Sequence, residues 1–173
     1  PSLNDDLYGW AGRMLAGMKY VLARKGPLAL SLNQGGGFIR TRPDLPRPNM
    51  QLYFCPLTYE RAPHGVRPLM HPDPFSGFST TASPCRPLSR GELRIKSADP
   101  REAPAICPNY LSAAEDVQEL LEGIRFLRRF AATPTMQAMI ETEMKPGPQA
   151  ATDAELIEAF EAIETLSGRY ETL

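Results

Sequence analysis

Residue types that carry chemistry are sparse in this chain: two histidines (His64, His71), three cysteines (Cys55, Cys85, Cys107) and the run Gly35-Gly36-Gly37. The histidines lie in a proline-rich stretch with no Cys, Asp or Glu spaced to complete a metal set, so they read as loop residues and no metal site is expected. The cysteines are odd in number, widely spaced and contain no Cys-x-x-Cys pair. That argues against a disulfide framework or a zinc site and predicts free, buried thiols in a reducing compartment, the cytoplasm. No Gly-x-Ser-x-Gly elbow and no Cys–His pair marks a nucleophile. A dinucleotide fingerprint needs G-x-G-x-x-G between a strand and a helix, where N–H groups meet the pyrophosphate. Here the glycines lead into Phe38-Ile39-Arg40-Thr41, a strand pattern. They predict close backbone packing or a strand bend, or backbone exposed to a ligand pocket. Glu155, Glu158, Glu161 and Glu164 recur at three-residue spacing and read as a solvated helix face. Arg125, Arg128 and Arg129 border an apolar stripe and read as surface or salt-bridging groups. These residues complete no catalytic, cofactor-binding or metal constellation.

The totals bound the remaining possibilities. At 173 residues, with 42% hydrophobic and 23% charged, the chain is long enough for a real core and reads as globular. Its net charge of −1 points to neither nucleic acid nor an anionic membrane. No apolar run reaches the length of a membrane span, and the start does not have the pattern of a signal peptide. Eighteen prolines predict ordered loops and interrupted strands rather than a helical bundle.

Hydrophobic periodicity places the elements. Residues 3–24 form a helix with Leu7, Met14, Leu15, Met18, Val21 and Leu22 at helical spacing, stopped at Arg24-Lys25-Gly26-Pro27. Strands follow at 35–41 and 50–59. In the second, Met50, Leu52 and Phe54 face one way and Tyr53, Cys55 and Leu57 the other. Pro56 implies an edge or a bulge. Further strands are expected at 78–86 and 91–97, the latter with Leu93 and Ile95 facing inward. Residues 60–76 and 99–110 are proline-punctuated connections. Ser112-Ala113-Ala114-Glu115 reads as a capping box opening a helix with Val117, Leu120, Leu121, Ile124 and Leu127 on one face. Thr133-Pro134 ends it and starts a short helix to about Met144. A second capping box, Thr152 to Glu155, opens a last helix with Leu156, Ile157, Phe160 and Ile163 inward. The sum is an α+β fold, an antiparallel sheet flanked by helices.

One family matches these segments in order. Ser89-Arg90-Gly91-Glu92-Leu93-Arg94-Ile95-Lys96-Ser97-Ala98-Asp99-Pro100, the stretch Pro104 to Ser112, and Asp116 resemble the glucose–methanol–choline (GMC) oxidoreductase family, near its choline dehydrogenase branch. So do Ala23-Arg24-Lys25-Gly26-Pro27-Leu28, then Gly36 to Thr41 followed by Arg47 to Phe54, and finally Pro146-Gly147-Pro148 with Thr152 to Leu156. The resemblance runs over roughly residues 3–160.

The resemblance implies a flavoprotein parent in which one domain binds FAD and another forms a substrate cover, an antiparallel sheet backed by helices. Residues 1–160 correspond to part of that cover. Residues 161–173 are a divergent tail, standing where the family carries its His-Pro-x-Gly-Thr segment and catalytic histidine. His64 and His71 match neither of the family's catalytic positions. The chain alone is therefore expected to hold no FAD and to be inactive, while the intact parent oxidises a small alcohol with hydride passing to flavin. The alternative is a stand-alone, non-catalytic ligand-binding or interaction module derived from that domain. For the pocket, the resemblance points to Asn33, Tyr53 and Cys55, with ordinary sheet packing as the competing role. Tyr53 falls where choline-oxidising members place a histidine, and Asn33 where one places an aromatic residue. The loss of that aromatic argues against a quaternary ammonium and for a neutral primary alcohol. A cover without its FAD-binding domain is expected to expose apolar surface and to self-associate, through a sheet edge or that face.

Overall fold

A computed structural model describes residues 2–60 and 71–159. His64 and the tail at 161–173 lie outside them. The chain divides into two compact units, Pro1–Ile39 with Gln51–Ala82, and Arg40–Met50 with Ser83–Leu173.

The first unit opens with two helices where the periodicity suggested one: α1 (Leu3–Leu7) and α2 (Trp10–Ala23). The break falls at Gly9, which is extended. Ser2 caps α1 in a capping box with Asp5. The stop lies where the sequence places it. Arg24 takes the left-handed conformation, Gly26 has φ 92°, and Pro27 begins a single 3-10 turn. Strands β1 (Gly35–Ile39), β2 (Met50–Cys55) and β5 (Ser79–Pro84) form a sheet in the order β1-β2-β5. The Gln34 amide donates to the Phe54 carbonyl at 2.9 Å, and Gly36 lies against Leu52, so β1 and β2 run antiparallel. A Cβ on Gly36 would collide with the Leu52 carbonyl, which is the close backbone packing expected of the glycine run. β2 ends before Pro56, which has no amide hydrogen for the ladder. Two short strands, β3 (Tyr59–Glu60) and β4 (His71–Pro72), then pair antiparallel.

The second unit centres on α3 (Ala114–Ala131), whose Leu121 and Ile124 pack with Ala150 and Leu156 in a small core, with Val117 and Ile157 against it. Leu156 and Ile157 belong to a helix over 153–159 (α5). Its capping box forms as expected: the Glu155 amide donates to the Thr152 hydroxyl at 3.3 Å, and the Thr152 amide to the Glu155 carboxylate at 2.8 Å. The box expected at Ser112 does not form. α3 begins one residue later than that box requires, with Ala113 as its cap, and the Ala113 amide is satisfied instead by the Ser89 hydroxyl at 3.1 Å. The next helix, α4, covers only Pro134–Gln137 rather than reaching Met144. The following segment is held as a loop by Arg128, which bonds the Glu143 carboxylate (2.8 and 3.0 Å) and the carbonyls of Ala150 (2.7 Å) and Gly147 (3.1 Å).

Two further expectations are corrected here. Strand β6 covers only Glu92–Arg94, paired antiparallel with β7 (Ala105–Cys107) in a two-stranded ribbon. Leu93 and Ile95 are 64% and 85% exposed rather than inward, because among the described residues no second layer covers that ribbon. The three cysteines are free, but only Cys55 is buried, and Cys107 is exposed.

Candidate substrate cleft

The first unit carries a cleft of about 220 Å³ on one face of its sheet. Alternation along β2 builds it. Phe54 turns to the opposite face, where its ring lies 5.5 Å from that of Phe78, and this leaves Tyr53 and Cys55 on the cleft side. β5 supplies Ser79 and Thr81, again two residues apart. The shape follows from size. Cys55, Ser79 and Thr81 are short side chains that leave room above the sheet, and the longer Tyr53 and Tyr59 wall that room. Leu32 and Asn33, from the segment before β1, complete the lining. The structure thus brings together Asn33, Tyr53 and Cys55, the three pocket residues singled out from the sequence. Sequence reasoning missed Leu32, Tyr59, Ser79 and Thr81.

Tyr59 is positioned from a distance. Asn4, 1% exposed, reaches from α1 to the residue before it: Nδ2 donates to the Thr58 carbonyl at 2.8 Å and its hydroxyl at 3.1 Å, and Oδ1 accepts the Thr58 amide at 3.0 Å. The same Nδ2 donates to the Asp73 carbonyl at 3.1 Å, just after β4. Ser79 is tied down more weakly, its hydroxyl donating to the Leu57 carbonyl at 3.4 Å.

The chemistry of this lining is neutral. It presents one amide, one thiol, two phenols and two aliphatic hydroxyls, with no carboxylate, ammonium, guanidinium or imidazole. Such a surface can bind and orient a small polar molecule. It offers no imidazole or carboxylate to take a hydroxyl proton. It also does not fit FAD. Pockets for drug-sized ligands run from about 300 to 1,000 Å³, FAD is larger than those ligands, and the glycine run opens a strand rather than the helix N-terminus that receives a pyrophosphate.

Charged groups lie elsewhere and serve the architecture. Asp116, 3% exposed at the start of α3, accepts the Ser89 hydroxyl and the amides of Leu88 and Ser89, both at 2.7 Å. These bonds, the Ser89 hydroxyl foremost, hold its carboxyl below the usual range. The Ser76 hydroxyl and the Ser2 amide do the same for Asp5. Asn49, also buried, joins the Thr41 hydroxyl (2.9 Å) to Glu119 (3.3 Å). Arg125 pairs with Asp153, Arg128 with Glu143, and Arg129 lies over the Phe126 ring, so the arginine cluster is structural. Glu155 and Glu158 are exposed, as a solvated face requires, and Glu161 and Glu164 lie outside the described residues. His71 is exposed on β4.

Comparison with known proteins agrees with the sequence resemblance. The profile of the GMC oxidoreductase family matches residues 87–168. The oxygen-dependent choline dehydrogenase of Staphylococcus epidermidis is 37% identical over 142 residues, covering 82% of this chain and 24% of that protein. A Pseudomonas putida alcohol dehydrogenase (acceptor) is 35% identical over 153 residues, covering 87% and 26%. The chain thus spans about a quarter of the length of these curated relatives. The fold is shared with formate oxidase of Aspergillus oryzae RIB40, solved in a study of its FAD modification, at a TM-score of 0.73 and 22% identity over 91% of this chain and 31% of that one. It is shared also with pyridoxine 4-oxidase of Mesorbium loti, at a TM-score of 0.61 and 18% identity over 75% and 25%. Among the described residues no helix is long and apolar enough to cross a membrane. The order of motifs along the sequence, the antiparallel α+β architecture and these relatives agree: the chain is homologous to part of the GMC oxidoreductases.

Proposed function

We propose that this chain forms the substrate-binding part of an FAD-dependent oxidoreductase that converts an alcohol to a carbonyl compound. The observation that carries the reading is the uncharged, hydroxyl-rich cleft over Cys55, Ser79 and Thr81, within a fold shared with oxidases and dehydrogenases. FAD supplies the hydride acceptor, and the base is contributed from outside this cleft. The chain's own residues bind the alcohol: Asn33, Tyr53 and Tyr59 hydrogen-bond its oxygens, and the small floor admits its carbon skeleton. By itself the chain binds no FAD and does not turn over.

The exposed apolar stripe of α2 supports the same reading. Met14, Met18, Val21 and Leu22 are between 50% and 83% exposed. In the whole enzyme this stripe meets the flavin-binding part, and in the isolated chain a second copy covers it. Three unpaired cysteines favour a cytoplasmic location.

The test is a graft. The matched 142 residues of the Staphylococcus epidermidis relative are replaced by those of this chain, and flavin reduction is followed without oxygen against a panel of alcohols. Reduction by one or more of them is expected. A graft that folds and retains FAD, yet is reduced by no alcohol, would overturn the proposal.

A further inference from the structure

We infer that the cleft selects a small neutral polyol, a molecule with several hydroxyl groups, over both a quaternary ammonium and a plain aliphatic alcohol. The inference deepens the function proposed above and rests on it for the claim that the bound molecule is a substrate. The claim that the cleft binds a polyol stands on the geometry alone.

Unspent hydrogen-bonding capacity is the first observation. Buried polar groups elsewhere in the chain are fully engaged: Asn4, Asn49 and Asp116 each bond two or more partners. The cleft is the contrast. Asn33, Tyr59 and Thr81 are exposed and Tyr53 is half-buried. Their side chains bond no other described residue, so the polar groups lining this one space are held by water that a ligand's hydroxyls can replace. Together they offer donors and acceptors in several directions, which a single hydroxyl cannot use and a polyol can.

Charge is the second. A quaternary ammonium is held by a carboxylate or by a cage of aromatic faces. The lining has no carboxylate, and its two tyrosines share it with an amide, a thiol and two aliphatic hydroxyls. A cation placed there would lose water without an opposite charge in return. A plain alkyl chain fares badly for the opposite reason, because it would cover the phenols and hydroxyls and leave them unpaired.

Size is the third. A dry cavity of about 150 Å³ takes a benzene, so the cleft takes a molecule of roughly eight to ten non-hydrogen atoms. Xylitol, n-pentanol and choline share a five-carbon count, are no larger than that space, and differ in hydroxyl count and charge, so they make a set of probes.

The experiment is a titration of the whole isotope-labelled chain with each probe, following backbone amide resonances, on the wild type and on Tyr53→Phe and Thr81→Val. Saturable shifts with xylitol, confined to residues 32–33, 53–59 and 79–81, are expected. Each substitution should weaken xylitol about 2- to 10-fold, the cost of one lost hydrogen bond. Choline or n-pentanol saturating the same amides at lower concentration would overturn the inference. So would shifts elsewhere, the absence of saturable shifts with xylitol, or unchanged affinity in both variants. The graft assay fails independently. A flavin reduced by choline or n-pentanol but not by polyols sinks the inference and leaves the proposed function standing, whereas xylitol bound in the cleft with no flavin reduction by any alcohol does the reverse.

Discussion

The α3 unit and the cleft of the other unit treat polar groups in opposite ways. In the unit built on α3, carboxylates, amides and guanidinium groups close on one another: Asp116 takes three donors from Leu88 and Ser89, and Arg128 gathers Glu143 and two carbonyls around the small core of Leu121, Ile124, Ala150 and Leu156. In the cleft over β2 and β5, Asn33, Tyr53, Tyr59 and Thr81 line a shared, solvent-open space, and their side chains bond no other described residue. Closed networks hold a structure in one arrangement, and open ones leave interaction energy for a ligand. The chain therefore keeps stability and recognition in different sets of residues, and substitutions should separate the two.

The largest effect is expected at Leu121, 1% exposed in the core. Leu121→Ala should lower unfolding free energy by about 2–5 kcal/mol, read by urea denaturation. Next comes Asn4→Ala, which leaves the Thr58 amide and two carbonyls short of a partner. A loss of about 1–3 kcal/mol is expected in the same assay. It should be accompanied by broadening or movement of the Tyr59 resonances, since Asn4 anchors the neighbouring Thr58. Asp116 gives a pH signature. Its carboxyl is held low in the folded chain by the Ser89 hydroxyl and the Leu88 and Ser89 amides. It therefore adds stability above the ordinary carboxylate range, and that contribution is lost as pH falls from about 4 through the lowered native value. Asp116→Asn should reduce stability at neutral pH and flatten the acid limb of the curve; an acid limb identical to wild type would contradict the network. The smallest effect belongs to α2. Leu22→Ser, at a site 83% exposed, should change stability by no more than about 0.5 kcal/mol while reducing concentration-dependent association in sedimentation.

What the sequence disclosed about each region follows the range of the interaction. Period-two alternation is local, so Tyr53 and Cys55 could be assigned to one face of β2 without a structure. The α3 stripe with Leu121 and Ile124 is local too, as are the Thr152–Glu155 box and the stop at Arg24 to Pro27. Tyr59, Ser79 and Thr81 join the cleft only through strand order and register, which depend on contacts between distant segments. Their signal was present but ambiguous: Ser79-Thr80-Thr81 puts small hydroxyls on a strand whose cleft-side positions would otherwise carry larger apolar groups. Asn4 gave no signal, since an Asn near a helix start reads as a cap. Alternation misled at Leu93 and Ile95, because it assumes a second layer that the β6–β7 ribbon does not have among the described residues. At α3 the Ser112 box lost to Ser89, a partner brought in from another segment.

The central claim, that the cleft supplies the substrate wall of a flavin enzyme, is tested most directly in the graft with Tyr53→Phe and Thr81→Val combined. With whichever alcohol reduces the flavin fastest, the account predicts KM raised about tenfold or more, two hydrogen bonds having been lost, with FAD content and thermal stability held. An unchanged KM, or a loss of FAD in place of a change in KM, would contradict it.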